Sequence, residues 1–203
     1  MGGRSIESIF TTIYQNNEWH DAESVSGPGS SLKRTCVIRD ELPRFLRTFG
    51  ARSLLDAPCG DFNWMQHVNL EGVHYIGGDV VPDLIEQNRR KHGNRHRTFV
   101  LLDITKDVLP RTDAILCRDC FIHFSFAHID AAIANFKRSD CEFLLATTHV
   151  NVSVNQDITT GDWRSINLTV PPFNLPQPIG LMVENAETGK CLGLWRIADL
   201  GNT

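Results

Sequence analysis

Residues 53–64, Ser-Leu-Leu-Asp-Ala-Pro-Cys-Gly-Asp-Phe-Asn-Trp, constrain the fold more than any other stretch of the chain. The apolar run Leu54-Leu55 ends on the carboxylate of Asp56, and the chain then turns at Gly60. Such a run bounded by turn residues predicts a buried strand. Open α/β sheets bind ligands beyond the carboxyl ends of their strands. A second run, Tyr75-Ile76-Gly77-Gly78, ends on Asp79. Asp79 follows Gly60 by about twenty residues, the spacing at which doubly wound folds hold a ribose hydroxyl pair.

The alternation continues downstream. Apolar density predicts strands at 53–57, 73–79, 97–102, 113–118 and 142–149, with helices at 63–68, 82–92 and 125–138. Strands separated by helices imply right-handed βαβ units and a parallel sheet. Upstream, Ile6, Ile9, Phe10, Ile13 and Tyr14 lie at helical spacing over 4–14. A Ser/Gly/Pro segment, residues 24–31, precedes a helix whose apolar face is Leu32, Cys36, Leu42, Phe45, Leu46 and Phe49. Ser30 or Ser31 is positioned to cap it, and Pro43 to divide it. Residues 150–178 are polar and aperiodic, which suggests a cover over the strand ends. Two apolar runs, 180–184 and 191–197, flank a polar turn and predict a terminal hairpin. The expected fold is α/β: a Rossmann-like doubly wound sheet, mostly parallel, with a C-terminal antiparallel hairpin. One domain spans 1–203, with helices and a lid loop in 1–50, a cofactor-binding core in 51–149, and a substrate loop and hairpin in 150–203.

Composition narrows the function classes. A 203-residue chain with 41% hydrophobic and 22% charged residues has material for one full core. A net charge of -4 carries no polyanion signature, and the basic cluster Arg89-Arg90-Lys91 with Arg95 and Arg97 reads as a solvated helix end. Nucleic acid is therefore not an expected partner. Six scattered cysteines, with a lone Cys117-x-x-Cys120, suit a reducing cytoplasm rather than a zinc site. No long apolar segment suggests secretion or membrane spanning.

Taken together, Asp56-x-x-Cys59-Gly60, Asp79, Leu102-Asp103-Ile104, Leu116-Cys117-Arg118-Asp119 and the hairpin resemble a class I S-adenosylmethionine-dependent methyltransferase. The resemblance covers about residues 50–150 by motif. More narrowly, Trp19, Ser26-Gly27-Pro28-Gly29-Ser30, the 56–64 stretch and Cys117-Arg118-Asp119-Cys120 are similar to a bacterial subgroup associated with sugar or polysaccharide O-methylation. The resemblance implies S-adenosylmethionine contacts from Asp56, Cys59, Gly60, Trp64, Asp79, Val80, Asp103, Ile104 and Arg118. Asp56 would face the amino-acid end, Asp79 the ribose hydroxyls, and Asp103 with Ile104 the adenine. Arg118 and Asp119 would border the methyl group. Pro58 and Phe62 stand where the family generally has glycine.

Methyl transfer to a hydroxyl is an in-line displacement that rewards alignment and a base. Asp119, His123 and His149 are the expected catalytic residues, with one histidine as base and Asp119 orienting it or the acceptor. If 119–123 begins a helix, Asp119 and His123 share one face. Asp157, Asp162, Trp163 and Arg164 are candidates for sugar contact. The resemblance leaves Mg²⁺ open as a second cofactor, with Asp119, His149 and Asp157 as potential ligands, although no compact Asp-rich motif is visible. The expected partner is a small-molecule or saccharide substrate, with room for a homodimer. Two alternatives are a methyltransferase of another small acceptor and a non-catalytic binding module. An NAD-dependent oxidoreductase is disfavoured, because Pro58-Cys59-Gly60-Asp61-Phe62-Asn63 lacks the Gly-x-Gly-x-x-Gly turn.

Overall fold

A computed structural model describes residues 4–201. Among them, β1 (Ser53–Asp56), β2 (His74–Asp79), β3 (Arg97–Leu101), β4 (Ala114–Cys117), β5 (Phe143–His149), β6 (Gly180–Asn185) and β7 (Lys190–Arg196) form one sheet. Its order is β3-β2-β1-β4-β5-β7-β6. The first five strands pair in parallel, and β7 runs antiparallel to both β5 and β6. The helices are α1 (Ile6–Asn16), α2 (Cys36–Thr48), α3 (Pro82–His92) and α4 (Phe126–Arg138). The expected doubly wound sheet with its hairpin is therefore present. Strand order reverses between β1 and β4, which opens a crevice beyond their carboxyl ends.

The central strands are apolar on both faces because both faces are covered. Successive side chains alternate across the sheet. Leu55, Ile115, Leu144 and Ala146 meet Ile129, Ile133 and Phe136 of α4 on one side. Leu54, Leu116 and Leu145 meet Ile38, Leu42 and Leu46 of α2 and Ile85 of α3 on the other. Five of the six cysteines are buried within this packing; Cys36 is exposed.

Four local expectations change. Residues 63–68 form only a 3₁₀ turn, Met65–His67. The stretch between the Phe62 turn and Asn69–Gly72 is too short to nucleate a helix. α2 begins at Cys36, so neither Ser30 nor Ser31 caps it; Ser31 O instead accepts from the amide and hydroxyl of Thr35. Pro43 lies inside an undivided α2, buried beside Leu42 and Leu46. Segment 150–178 is a core element as much as a cover, because Ile166, Leu168, Phe173 and Leu175 pack into the α4-side core. No helix among the described residues is long and apolar enough to cross a membrane.

Candidate active site

The crevice is a cavity of about 990 Å³ walled by the carboxyl ends of β1, β2 and β4, by residues following β3, and by His149 at the end of β5. All nine residues expected to contact a cofactor line it, as do Asp119, His123 and His149.

β1 places Asp56 in the wall, where Oδ2 accepts from the Tyr75 hydroxyl at 2.6 Å. Burial raises the Asp56 carboxyl to about 7, although Tyr75 and the Arg118 guanidinium pull it down. The chain then turns at Gly60 with φ +56. A Cβ there would stand 2.2 Å from Ser26 Oγ, so the position demands glycine both for φ and for space. Phe62 adopts φ +61. The turn thus keeps a glycine-like backbone with a phenylalanine. Its ring is buried against Tyr75 and Phe99, and burial worth about 1.5–3 kcal/mol offsets a left-handed cost of about 1–2 kcal/mol.

β2 ends on Asp79. Its Oδ2 accepts from Gly60 N and its Oδ1 from Val81 N, both at 3.1 Å, which ties the two turns together. Each oxygen retains a lone pair for a ligand hydroxyl. Burial raises Asp79 to about 6 against these hydrogen bonds. Asp103 accepts from the Thr105 amide and hydroxyl through Oδ1 and pairs with Lys106 at 3.1 Å through Oδ2. Burial opposes its ionisation, but these partners hold its carboxyl below the usual range.

At the far wall, four charges interlock. Arg118 donates to Glu184 Oε2 from Nη2 at 2.6 Å and from Nε at 3.0 Å, and to Gly29 O at 3.0 Å. Lys190 donates to Asp119 Oδ2 at 2.7 Å, and Arg118 Nη1 stands 3.2 Å from the same oxygen. Burial disfavours the Asp119 anion, but Arg118 and Lys190 outweigh it and bring the carboxyl to about 2. The Arg118 guanidinium also lies 5.3 Å from the Trp64 ring centre.

The two histidines differ. His123 Nδ1 is 2.9 Å from Asp162 O. A carbonyl only accepts, so Nδ1 carries the proton and Nε2 is left basic. Burial lowers the His123 pKa and keeps the ring neutral near pH 7. His149 is more deeply buried, with Nδ1 3.3 Å from Ile166 N and 3.4 Å from Ile166 O, and burial lowers its pKa too.

The N-terminal loop lines the cavity. Asp61 accepts from Ser24 Oγ, Val25 N and Ser26 Oγ, while Ser26 Oγ accepts from Asp61 N at 2.9 Å. Asn63 donates to Glu23 and to Ser30 O. Trp19, at the start of this loop, lies against His123 with ring centres 5.2 Å apart.

Several expectations are revised by this geometry. Asp119 takes φ +53, and only a 3₁₀ turn, Phe121–His123, follows before α4 starts at Phe126 behind its Ser125 cap. Asp119 and His123 therefore share no helix face. Among the described residues, Asp119 hydrogen-bonds neither imidazole; the Asp162 carbonyl orients His123 instead. Asp157 accepts from Phe126 N and Ile158 N, which caps α4. Arg164 is buried, donating to the carbonyls of Phe121 and Phe124. Of the long loop's four sugar-contact candidates, only Trp163 lines the cavity. No group of three or more His, Cys, Asp or Glu side chains among the described residues is placed to hold a metal ion. Asp157 is spent on α4 and Asp119 on two cations, so Asp119, His149 and Asp157 do not make an oxygen-donor site for Mg²⁺. Sequence reasoning missed Asp61, Glu184 and Lys190. Only Glu184 carried a signal, as a charge within the predicted apolar run 180–184.

No family model and no curated protein matches the sequence. Solved structures do match the fold. PigF with S-adenosylhomocysteine aligns with a TM-score of 0.67 at 14% identity, over 96% of this chain and 63% of its own. Human N-acetylserotonin methyltransferase with S-adenosylmethionine gives 0.63 at 12% identity, over 96% and 60%. The N-methyltransferase NodS of Bradyrhizobium japonicum with S-adenosylhomocysteine gives 0.61 at 16%, over 90% and 97%. The chain thus spans about 60% of the human enzyme's length and nearly all of NodS. Strand order, hairpin and these alignments agree: the chain has the class I methyltransferase fold.

Proposed function

We propose that the chain is an S-adenosylmethionine-dependent O-methyltransferase acting on a hydroxyl of a small saccharide. The cavity chemistry suits that cofactor. Asp56 and Asp79 are carboxylates whose ionisation burial opposes. A ligand that brings positive charge and hydroxyl donors relieves both, since each favours the ionised form. Asp56 would hold the amino-acid end, Asp79 the ribose, and Asp103 with Ile104 the adenine. When bound, the cofactor supplies a sulfonium methyl group.

The single observation that carries the transfer reading is His123. It lines the cavity as a neutral imidazole with Nδ1–H committed to Asp162 O and Nε2 basic. A sugar hydroxyl must lose its proton as the new bond forms, and a neutral imidazole at its reach is a suitable acceptor. Asp119, ionised and fixed by Arg118 and Lys190, does not compete for that proton; its negative charge favours the imidazolium as it forms, against the opposing charges of Arg164 and Lys190. The segment 17–31 and Trp163 would exclude water from the acceptor.

Incubating the protein with S-adenosylmethionine and a saccharide panel, with mass spectrometry of products, tests the reading. A product heavier by one methylene is expected, with turnover reduced about 10²–10⁴-fold in His123→Ala and less in His149→Ala. Turnover near wild type in His123→Ala contradicts the base assignment. Methylation of phenol or amine acceptors in preference to saccharides contradicts the substrate class.

A further inference from the structure

We infer that Glu184 forms an acceptor subsite that receives a hydrogen bond from a neutral hydroxyl of the sugar. This rests on the methyl-transfer reading of the same cavity and extends it to substrate recognition. Glu184 stands one residue before the end of β6, lines the cavity, and has a side chain only 2% exposed. Its Oε2 is fully used by the two Arg118 donors, with Lys190 Nζ 3.7 Å away. Its Oε1 is buried and has no hydrogen-bond partner among the described residues. A buried carboxylate oxygen left unpaired is costly, and on a residue that lines a ligand cavity it calls for a donor.

The neighbours select the kind of donor. Arg118 and Lys190 already place two cations beside Glu184, balanced by Asp119 and Glu184 itself. A third cation at Oε1 would face both, whereas a hydroxyl adds a donor without charge. A sugar offers several hydroxyls, so one can meet Glu184 while another meets His123. Glu184 is thus a specificity-determining residue rather than a participant in the transfer.

The substitution Glu184→Gln is informative because Arg118 only donates. Arg118 holds the amide oxygen where Oε2 stood, so the amide NH₂ occupies the Oε1 position and turns an acceptor into a donor. Calorimetric titration of hexoses and their mono-deoxy analogues, with and without S-adenosylhomocysteine, reads the effect. On the wild type, removal of one particular hydroxyl is expected to weaken binding about tenfold or more. E184Q should lose about the same factor for the parent hexose, bind that deoxy analogue as the wild type does, and change its S-adenosylhomocysteine affinity less than about threefold.

Equal hexose affinity in E184Q and wild type overturns the inference. So does a wild type that binds S-adenosylhomocysteine but no hexose, in which case the cofactor reading survives alone. Glu184-dependent hexose binding without any S-adenosylhomocysteine binding supports the subsite and removes the cofactor reading. If E184Q does not fold, the deoxy series on wild-type protein carries the test, and uniform affinity across that series overturns the inference. Tighter binding of an amino sugar than of its parent hexose overturns the preference for a neutral donor.

Discussion

Asp56 illustrates how a single residue is set up for a ligand. Its carboxyl is raised to about 7 by burial, so the folded protein holds a proton there that the unfolded chain releases near 4. Between those values the native state binds the extra proton, and this contribution to stability is present at low pH and lost as pH rises through about 7. His123 and His149 act in the opposite sense, because their lowered pKa values withdraw stability as pH falls below 6.5. A difference measurement separates the two. Asp56→Asn keeps an acceptor for Tyr75 and cannot ionise. Its melting temperature relative to wild type should therefore be several degrees higher at pH 8 than at pH 5. A difference that stays constant with pH contradicts the raised pKa. Residue by residue, the sequence exposed the strand-end acids Asp56, Asp79 and Asp103, because each closes an apolar run. It did not expose the orienting partner of His123, which is the backbone carbonyl of Asp162 and has no side-chain signature.

At the scale of elements, the N-terminal segment is a strap whose residues 24–26 are held by one carboxylate. Asp61 gathers Ser24, Val25 and Ser26, and Ser24 is buried with its hydroxyl spent on this contact. Removing the carboxylate in Asp61→Ala leaves buried donors without a partner, a loss of about 1.5–3 kcal/mol localised to the strap. Hydrogen exchange should accelerate across residues 18–32 while β1, β4 and β5 keep their protection; unchanged exchange in the strap contradicts this role. Strands and helices with a regular apolar period were legible: all seven strands lie within a residue or two of their expected places. Elements set by long-range contacts were not. The start of α2, the single turn at Met65–His67 and the left-handed Asp119 depend on what packs against them, and period alone does not encode that. Phe62 is the clearest case, since a non-glycine residue adopts a left-handed turn conformation held by the burial of its ring.

Across the whole molecule, the sheet order brings residues far apart in sequence to one rim: Trp19 and Ser26 from the strap, Asp56 from β1, Asp79 from β2, Asp119 and His123 after β4, His149 from β5 and Glu184 from β6. The switch between β1 and β4 accounts for the cavity, and the fold alone made its location predictable from the βαβ rhythm. Side chains from the last hairpin and the strap also line the cavity, and no short motif announces their meeting. We propose that this rim binds S-adenosylmethionine through Asp79. Isothermal titration of S-adenosylmethionine into the wild type and into Asp79→Ala tests it directly. Saturable one-to-one binding is expected in the wild type, weakened about tenfold or more in the variant by loss of the ribose hydrogen bonds. No binding by the wild type, or equal affinity in a folded Asp79→Ala, contradicts the claim.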